Sequence, residues 1–328
     1  MKIVITGGGG FLGAALARRL LAMDGVRVGG AAPAPVDQLL LVDIAEPPAD
    51  LKDEPRVRPV VGQVVDVLDD LDGADLVFHL AGVVSGAAEA DFDLGMATNV
   101  DATRALLERC RRLGTKPVLV FTSSNAVFGA DPAIGPLEEV DDDTMPRPQS
   151  SYGIQKLIGE LLVGDYTRKG FLRGRSVRLQ TVSVRPGKPN AAASSFLSGI
   201  IREPLDGLRA VCPVPPDTPA TLSSPRRTLD AILKAAEVDD ATWGSTTAMN
   251  LPALTTTPRE MAAALDRVAG AGTSDLIDWQ IDPAIAAIVE TWPPKVVTRR
   301  AGRLGLTPEE SFDDIIRAYM EDAGKQPR

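Results

Sequence analysis

A run of glycines near the start of the chain, directly between a predicted strand and a predicted helix, constrains the fold most. Residues 2–6 are mostly apolar and β-branched, four consecutive glycines follow, and residues 11–22 have a helical pattern. Glycines allow a sharp turn and let the backbone approach a phosphate closely. The helix N-terminus offers free N–H groups and a positive dipole end to that phosphate. The turn therefore predicts a dinucleotide-binding unit.

Short apolar runs alternate with helical patterns up to Arg185, which predicts an α/β fold with a doubly wound parallel sheet. Beyond Arg185 the elements are shorter and prolines crowd residues 213–225, which predicts a smaller C-terminal lobe. We place the first domain at 1–185, with part of 225–250 returning to it, and the second lobe at 186–328. The predicted strands are 2–6, 39–43, 57–61, 75–80, 118–122 and 176–185, and the predicted helices are 11–22, 89–113, 151–168, 194–202, 226–236, 258–268 and 308–322.

Composition excludes several kinds of site. A net charge of −9 argues against nucleic-acid binding, which needs a basic surface. The only histidine is His79, so a zinc site built on two or three histidines is impossible. Two distant cysteines, Cys110 and Cys212, favour free thiols. No apolar run reaches the roughly 20 residues that span a bilayer. We expect a cytoplasmic protein with no membrane or nucleic-acid partner.

Two registers of the glycine turn fit dinucleotide fingerprints: one uses Gly8, Gly10 and Gly13, and the other begins at Gly7. The second predicted strand ends in Asp43. An acid at that place accepts hydrogen bonds from the adenosine ribose hydroxyls and repels a 2′-phosphate. The sequence therefore favours NAD over NADP as cofactor. Asp66 and Val67 follow the third strand and are candidates for adenine contacts.

A tyrosine and a lysine four residues apart open a predicted helix, at Tyr152 and Lys156. Residues so spaced share one helix face, so the ammonium lies close to the phenol. A nearby cation favours the phenolate, which can then accept a proton from a substrate hydroxyl. Ser124 leaves the preceding strand, where its hydroxyl can stabilise charge on the reacting oxygen. These three residues are the predicted catalytic group.

Together, these motifs resemble the extended short-chain dehydrogenase/reductase family, which includes NAD-dependent sugar epimerases and dehydratases. The segments at 79–82 (H-L-A-G) and 123–129 (S-S-N-A-V-F-G) are similar to family turns. The resemblance implies a Rossmann-like sheet, NAD as cofactor and a small-molecule substrate. It implies cofactor contacts from Gly7, Gly10, Phe11, Leu12, Gly13, Asp43, Asp66, Val67, Leu80, Ala81, Gly82, Asn99, Ser123, Tyr152, Lys156 and Pro186.

The segments at 148–156, 183–196 and 291–293 narrow the resemblance to the D-erythronate dehydrogenases. That resemblance implies NAD-dependent oxidation of the C2 hydroxyl of a four-carbon sugar acid. It also implies a homodimer joined through residues 89–113 and 151–168. Two alternatives remain open. One is a nucleotide-sugar 4-epimerase or dehydratase with tightly bound NAD, and the other is a non-catalytic NAD-sensing protein.

Oxidation beside a carboxylate needs cations or several N–H and O–H donors to hold that carboxylate. The cations near recognisable motifs are Arg185, Lys188, Arg202, Arg226 and Arg227. The predicted substrate contacts are Ser85, Ser124, Asn125, Tyr152, Lys188, Asn190, Ser194 and Arg226.

Overall fold

The computed structural model describes residues 1–131, 133–135, 137–187 and 192–326. In chain order its strands are β1 (Lys2–Thr6), β2 (Gln38–Asp43), β3 (Val57–Val61), β4 (Leu76–His79), β5 (Val118–Ser124), β6 (Arg173–Leu179), β7 (Thr181–Val182), β8 (Ala210–Cys212), β9 (Ala220–Ser223), β10 (Met249–Asn250), β11 (Leu254–Thr256) and β12 (Ile277–Trp279). Its helices are α1 (Phe11–Leu21), α2 (Ala49–Lys52), α3 (Ser85–Ala90), α4 (Phe92–Gly95), α5 (Ala102–Leu113), α6 (Ser151–Arg168), α7 (Phe196–Leu205), α8 (Pro225–Glu237), α9 (Asp240–Trp243), α10 (Pro258–Ala269), α11 (Pro283–Val289), α12 (Arg299–Arg303) and α13 (Phe312–Asp322).

A parallel sheet organises the first part of the chain. Within the described residues it has seven strands in the order β3-β2-β1-β4-β5-β6-β10. The chain moves outward from β1 to β3 and then returns to place β4 on the other side of β1. Such a reversal leaves a crevice at the carboxyl ends of the strands, where ligands bind in open α/β sheets. The predicted fold class is confirmed.

Alternate side chains of each central strand point to opposite faces of the sheet, as the pleat requires. Ile3 and Ile5 pack under α1 and α8, whereas Val4 faces the layer formed by α5 and α6. These three residues are fully buried. Because helices cover both faces, the strands are apolar along their whole length rather than in alternation.

A second apolar core lies in the C-terminal half. It is formed mainly by α7, α10 and α13 with β8 and β9, and Ile200, Leu265 and Ile316 are among its fully buried members. The chain crosses between the two cores more than once. The helix α8 packs on the main sheet, and β10 adds to its edge beside β6. The division of the chain at residue 185 stays a prediction.

The helix predicted at 89–113 is broken in the structure. Asp91 adopts an extended backbone and its carboxylate accepts the Leu94 N–H, so α3 ends and α4 begins there. A π-helical turn, Met96–Asp101, then leads into α5. The strand predicted at 176–185 is also wrong. The main-sheet strand ends at Leu179, and Thr181–Val182 pairs instead with β9 in a separate small sheet.

His79 ties the end of β4 to its neighbours through a chain of buried hydrogen bonds. The Thr103 hydroxyl donates to the Asn99 carbonyl, so it accepts from His79 Nε2, at 2.9 Å. The other ring nitrogen, Nδ1, accepts from the Thr6 hydroxyl at 2.6 Å. Burial and the charge of Lys156 lower the pKa of His79 to about 3. The ring is therefore neutral and joins β1, β4 and α5.

This pKa shift predicts acid sensitivity. An unfolded histidine has a pKa near ~6.5, so it takes up a proton that the folded protein does not accept until the pH approaches about 3. Stability is lost as the pH falls through this window. Between pH ~7.5 and ~5.0 the loss from this group is about 2 kcal/mol.

Urea unfolding of the wild type and of His79→Gln at these two pH values measures the effect. Glutamine offers an acceptor and a donor but does not titrate. Between the two pH values the free energy of unfolding of His79→Gln should therefore fall by about 2 kcal/mol less than that of the wild type. An equal fall in both proteins would show that the ring is not held neutral.

Candidate active site

A cleft of about 900 Å³ opens at the carboxyl ends of the main-sheet strands and extends to the second lobe. Its wall begins at the glycine turn after β1 and continues along the ends of β2, β4 and β5. Segments 179–182 and 192–194, together with residues 287–292, close the opposite side. The cleft therefore lies where the strand order reverses, which is the place the topology favours.

The glycine turn forms a cradle that a larger residue would fill. Gly7 has φ +74°, a conformation that favours glycine, and its N–H donates to the Val42 carbonyl at 2.8 Å. A Cβ on Gly13 would lie 2.0 Å from the Gly7 carbonyl oxygen, so no other residue fits there. Helix α1 begins at Phe11 with its first N–H groups toward the cleft. This cradle fits a dinucleotide pyrophosphate.

Asp43 ends β2 at the far end of the cleft. One carboxylate oxygen accepts the Gly9 N–H at 3.0 Å, and the other faces the Ala45 N–H at 3.3 Å. The carboxylate is thus fixed beside the glycine turn, where an adenosine ribose would lie.

The wall beyond Asp43 differs from the sequence prediction. Gly62, Gln63 and Val64 line it, whereas Asp66 is exposed and lies outside the lining. Val67 packs against the core under the sheet instead. A short 3-10 turn, Val64–Asp66, carries the chain away from the cleft immediately after β3.

Two other predicted cofactor residues also lie outside the described lining. Pro186 is next to Arg185, which does line the cleft. Asn99 lies behind the wall in the π-helical turn and holds the loop after β4. It accepts the Val83 N–H at 2.8 Å and donates to the Val83 carbonyl at 3.1 Å and to Gln155 Oε1 at 2.7 Å. These bonds tie the loop after β4 to the π-helical turn.

The cleft brings the three predicted catalytic residues together. Ser150 caps α6 by accepting the Gly153 N–H, which places Tyr152 in the first turn and Lys156 one turn later. Lys156 Nζ lies 5.7 Å from the centre of the Tyr152 ring and donates to the Thr122 carbonyl at 3.0 Å. Ser124 reaches the same place from the end of β5.

Burial dominates the electrostatics of this group. It raises the pKa of Tyr152 to about 12, while a hydrogen bond from Ser124 and the charge of Arg185 act in the opposite direction. Burial also lowers the pKa of Lys156 to about 8, against the opposing charge of Glu160. The phenol is protonated at neutral pH until further positive charge reaches the cleft.

A buried ion pair supports the strand that carries the serine. Arg178 on β6 donates to both oxygens of Glu160 on α6, at 2.9 and 2.7 Å. The Ser123 hydroxyl donates to the same carboxylate at 2.5 Å. Ser123 itself lines the cleft, as predicted for a cofactor contact, while its hydroxyl is used within the protein.

Asn125 bridges the two lobes next to Ser124. Its amide nitrogen lies 3.4 Å from Gln180 Oε1 and 3.3 Å from the Thr221 hydroxyl oxygen. The Ser124 hydroxyl lies 3.4 Å from its amide oxygen. The Gln180 amide nitrogen donates in turn to the Leu251 carbonyl at 2.8 Å. This network fixes the floor of the cleft beside the reacting group.

The predicted substrate contacts divide into three sets. Ser85, Ser124, Asn125, Tyr152 and Ser194 line the cleft. Lys188 and Asn190 lie outside the described residues. Arg226 is not part of the cleft: it is exposed on α8 and ion-paired with Asp322 and Glu321 of α13. The structure therefore does not bring Arg226 to the cleft, because the start of α8 faces α13.

The structure adds cleft residues that sequence patterns did not indicate. Glu89 lines the mouth, and Gln180 and Thr181 line the floor. Ile288 and Trp292 close the cleft from the second lobe. The tryptophan belongs to a family-like segment, which was a usable signal. The others lie on short elements or between them and belong to no recognisable sequence motif.

Searches of the described ranges find no cluster of three metal-binding side chains. The same residues include no helix long and apolar enough to cross a bilayer.

Comparison with known proteins places the chain among dehydrogenases. It is 51% identical to D-erythronate dehydrogenase of Cupriavidus necator over 99% of both chains. It is 41% identical to D-erythronate dehydrogenase of Haemophilus influenzae over 98% of this chain and 99% of that one. A solved structure described as the nucleoside-diphosphate-sugar epimerase from Agrobacterium tumefaciens superposes with a TM-score of 0.88. It is 38% identical, with coverage of 100% of this chain and 96% of that one.

The family model described as the NAD dependent epimerase/dehydratase family matches residues 3–217, well over half of the chain. This match covers the glycine turn, all strands of the main sheet except β10, and the helix with the tyrosine and lysine. The predicted enzyme class, an NAD-dependent dehydrogenase of the extended short-chain type, agrees with both full-length relatives. The chain belongs to the NAD-dependent epimerase/dehydratase family.

Proposed function

We propose that this protein oxidises the C2 hydroxyl of D-erythronate to give 2-dehydro-D-erythronate, with NAD as cofactor. The observation that carries the proposal is the convergence of Ser124, Tyr152 and Lys156 in one cleft with a dinucleotide cradle. The two full-length relatives named D-erythronate dehydrogenase support the substrate.

Tyr152 is the proposed general base. Its phenolate takes the proton of the C2 hydroxyl as the C2 hydrogen leaves as hydride, and the alcohol becomes a ketone. NAD, when bound, accepts that hydride and brings a positive nicotinamide charge. Because burial holds the pKa of Tyr152 at about 12 without this charge, the phenolate forms most readily when cations surround it. Tyr152 therefore becomes an effective base mainly when the cofactor is bound.

Lys156 and Ser124 complete the proposed chemistry. The Lys156 ammonium, anchored on the Thr122 carbonyl, supplies a fixed charge beside the phenol and is proposed to hold a nicotinamide ribose. Ser124 lines the same cleft, and its hydroxyl is proposed to donate to the reacting oxygen. Ser85, Asn125 and Ser194 line the same space and are proposed to contact the remaining substrate hydroxyls.

NAD rather than NADP is the proposed cofactor because of Asp43. Its carboxylate is fixed at the end of β2 by the Gly9 N–H. A 2′-phosphate on the ribose would meet this negative charge at short range, whereas two free hydroxyls would donate to it. We further propose that the enzyme works in the cytoplasm.

The second candidate is a nucleotide-sugar epimerase, favoured by the 38% identical structure of that description. Both reactions use the same base and the same hydride transfer. They differ in that an epimerase returns the hydride and releases no reduced cofactor. The balance of NADH therefore decides between them.

The decisive assay follows NADH absorbance with purified protein, NAD and D-erythronate. One NADH should form for each D-erythronate consumed, and NADP should give a much slower rate because of Asp43. Omission of the acid provides the control. Conversion of UDP-glucose to UDP-galactose without net NADH, together with inertness toward D-erythronate, would support the epimerase instead.

Replacing Tyr152 with Phe tests the base. The change should lower kcat by about 100-fold or more, since general base catalysis contributes about 10² to 10⁴. The dissociation constant for NAD should stay within a few fold, as the ring remains.

Tyr166→Phe is the matched control for this change. Tyr166 lies on the same helix, but its hydroxyl bonds to Glu108 outside the cleft. Its kinetics should equal those of the wild type. Full activity in Tyr152→Phe would rule out the proposed base.

We also propose a homodimer formed through residues 89–113 and 151–168. Four large apolar side chains are exposed on these segments: Phe92 (60%), Leu94 (46%), Ile154 (47%) and Leu161 (68%). Ile154 and Leu161 are seven residues apart and share one face of α6. A patch of this kind marks a protein interface more often than open surface.

Light scattering after size-exclusion chromatography tests the dimer. The wild type should have twice the mass of the chain, and Leu161→Glu should be largely monomeric because its charge would be buried in the interface. Leu208→Glu, at a 59% exposed site in the second lobe, should remain dimeric. A monomeric wild type at micromolar concentration would exclude this arrangement.

A further inference from the structure

Arg185 brings a cation to the wall of the cleft. Its backbone is held on both sides: the N–H donates to the Ser198 hydroxyl at 3.0 Å, and the carbonyl accepts from Arg202 at 2.8 Å. Its guanidinium donates to the Ser194 hydroxyl at 3.2 Å. Both Arg185 and Ser194 line the cleft. The guanidinium is therefore set at a defined place rather than free to swing into solvent.

Arg185 differs from the other charged residues that line the cleft. Among the described lining residues the anions are Asp43 and Glu89, and the cations are Lys156 and Arg185. Asp43 lies beside the glycine turn, and Glu89 accepts the Ser151 N–H. Arg185 forms no ion pair with any carboxylate in the described chain. A partly buried cation without such a partner is costly unless a ligand compensates it.

Arg185 and Tyr152 line the same cleft. Burial and the charge of Arg202 lower the pKa of Arg185, and Tyr152 acts in the opposite direction. Burial raises the pKa of the Tyr152 phenol, and the positive charge of Arg185 opposes that effect. In a 2-hydroxy acid the carboxylate carbon is bonded directly to the reacting carbon. Whatever holds that carboxylate must therefore lie beside Tyr152.

We propose that Arg185 binds the substrate carboxylate and so makes the enzyme specific for 2-hydroxy acids over neutral polyols. The proposal rests on the function proposed above and names the group that selects its substrate. The planar guanidinium donates two parallel N–H bonds to a carboxylate, which fixes the orientation of C2 as well as its position. Ser194 holds the guanidinium from the side.

Kinetics of Arg185→Gln and Arg185→Lys with D-erythronate and its neutral amide, D-erythronamide, test this role. In Arg185→Gln the KM for the acid should rise about 10- to 100-fold, the range expected for a lost hydrogen-bonded charge pair. The kcat/KM for the amide should change little, so the preference for the acid should collapse. Arg185→Lys should recover only part of it, because an ammonium lacks the two-pronged geometry.

Arg226→Gln is the matched control. Arg226 is an arginine outside the cleft, paired with Asp322 and Glu321, so its variant should keep the wild-type preference. The dissociation constant for NAD should be unchanged in all variants. An intact preference in Arg185→Gln would overturn the inference. So would an equal loss for acid and amide together with loss of NAD binding, since that pattern belongs to a structural residue.

Calorimetric titration of the NADH complex separates this inference from the proposed function. Binding of D-erythronate to the wild type that weakens at least tenfold in Arg185→Gln supports the carboxylate role even if no turnover occurs. Absence of turnover alone contradicts the proposed function. Binding that is the same in both proteins, or absent from the wild type, contradicts the role of Arg185. Loss of UDP-glucose binding in Arg185→Gln with unchanged acid binding would assign the arginine to a diphosphate instead.

Discussion

The buried ion pair between Glu160 and Arg178 is the contact on which the geometry of the candidate site depends. It joins the helix that carries the tyrosine and lysine to the sixth strand, and Ser123 attaches the fifth strand to the same carboxylate. Arg178 also reaches Asn250 on the edge strand. Removing one partner of such a pair leaves an uncompensated charge inside the protein, which costs about 3–5 kcal/mol. The pair therefore holds four separate elements in one register around the cleft.

Burial creates a conflict that the charges around the cleft must resolve. A dry site strengthens electrostatic interactions but disfavours the phenolate of Tyr152 and the ammonium of Lys156. Lys156 is held charged in part by Glu160, the same residue that anchors the strands. The Glu160 carboxylate thus both anchors the strands and helps to keep Lys156 charged. A change to the ion pair would therefore alter both the fold around the cleft and the pKa of Lys156.

Sequence patterns were sufficient for features that depend on local chemistry. The strand, glycine turn and helix at residues 2–22 follow from backbone freedom and apolar periodicity, and Tyr152 and Lys156 follow from helix spacing. The helix break at Asp91 was not predicted, because the helical sequence pattern continues through this residue. Only the structure shows that the Asp91 carboxylate caps α4. The separation of the main-sheet strand at Leu179 from the next short strand depends on pairing with β9, over 40 residues away. Arg226 was expected near the substrate although residues 225–250 were expected to return to the main sheet, because no sequence pattern shows that the start of α8 faces α13.

The two apolar cores are separate, and Arg185 lies where the chain leaves the first for the second. Its neighbour Val184 already belongs to the second core, while Leu179 still packs against the first. Mutation in this short connecting segment can therefore change what enters the cleft while both cores keep their packing. In proteins built in this way, substitutions at a few connecting residues can change the substrate while the cofactor-binding residues stay the same.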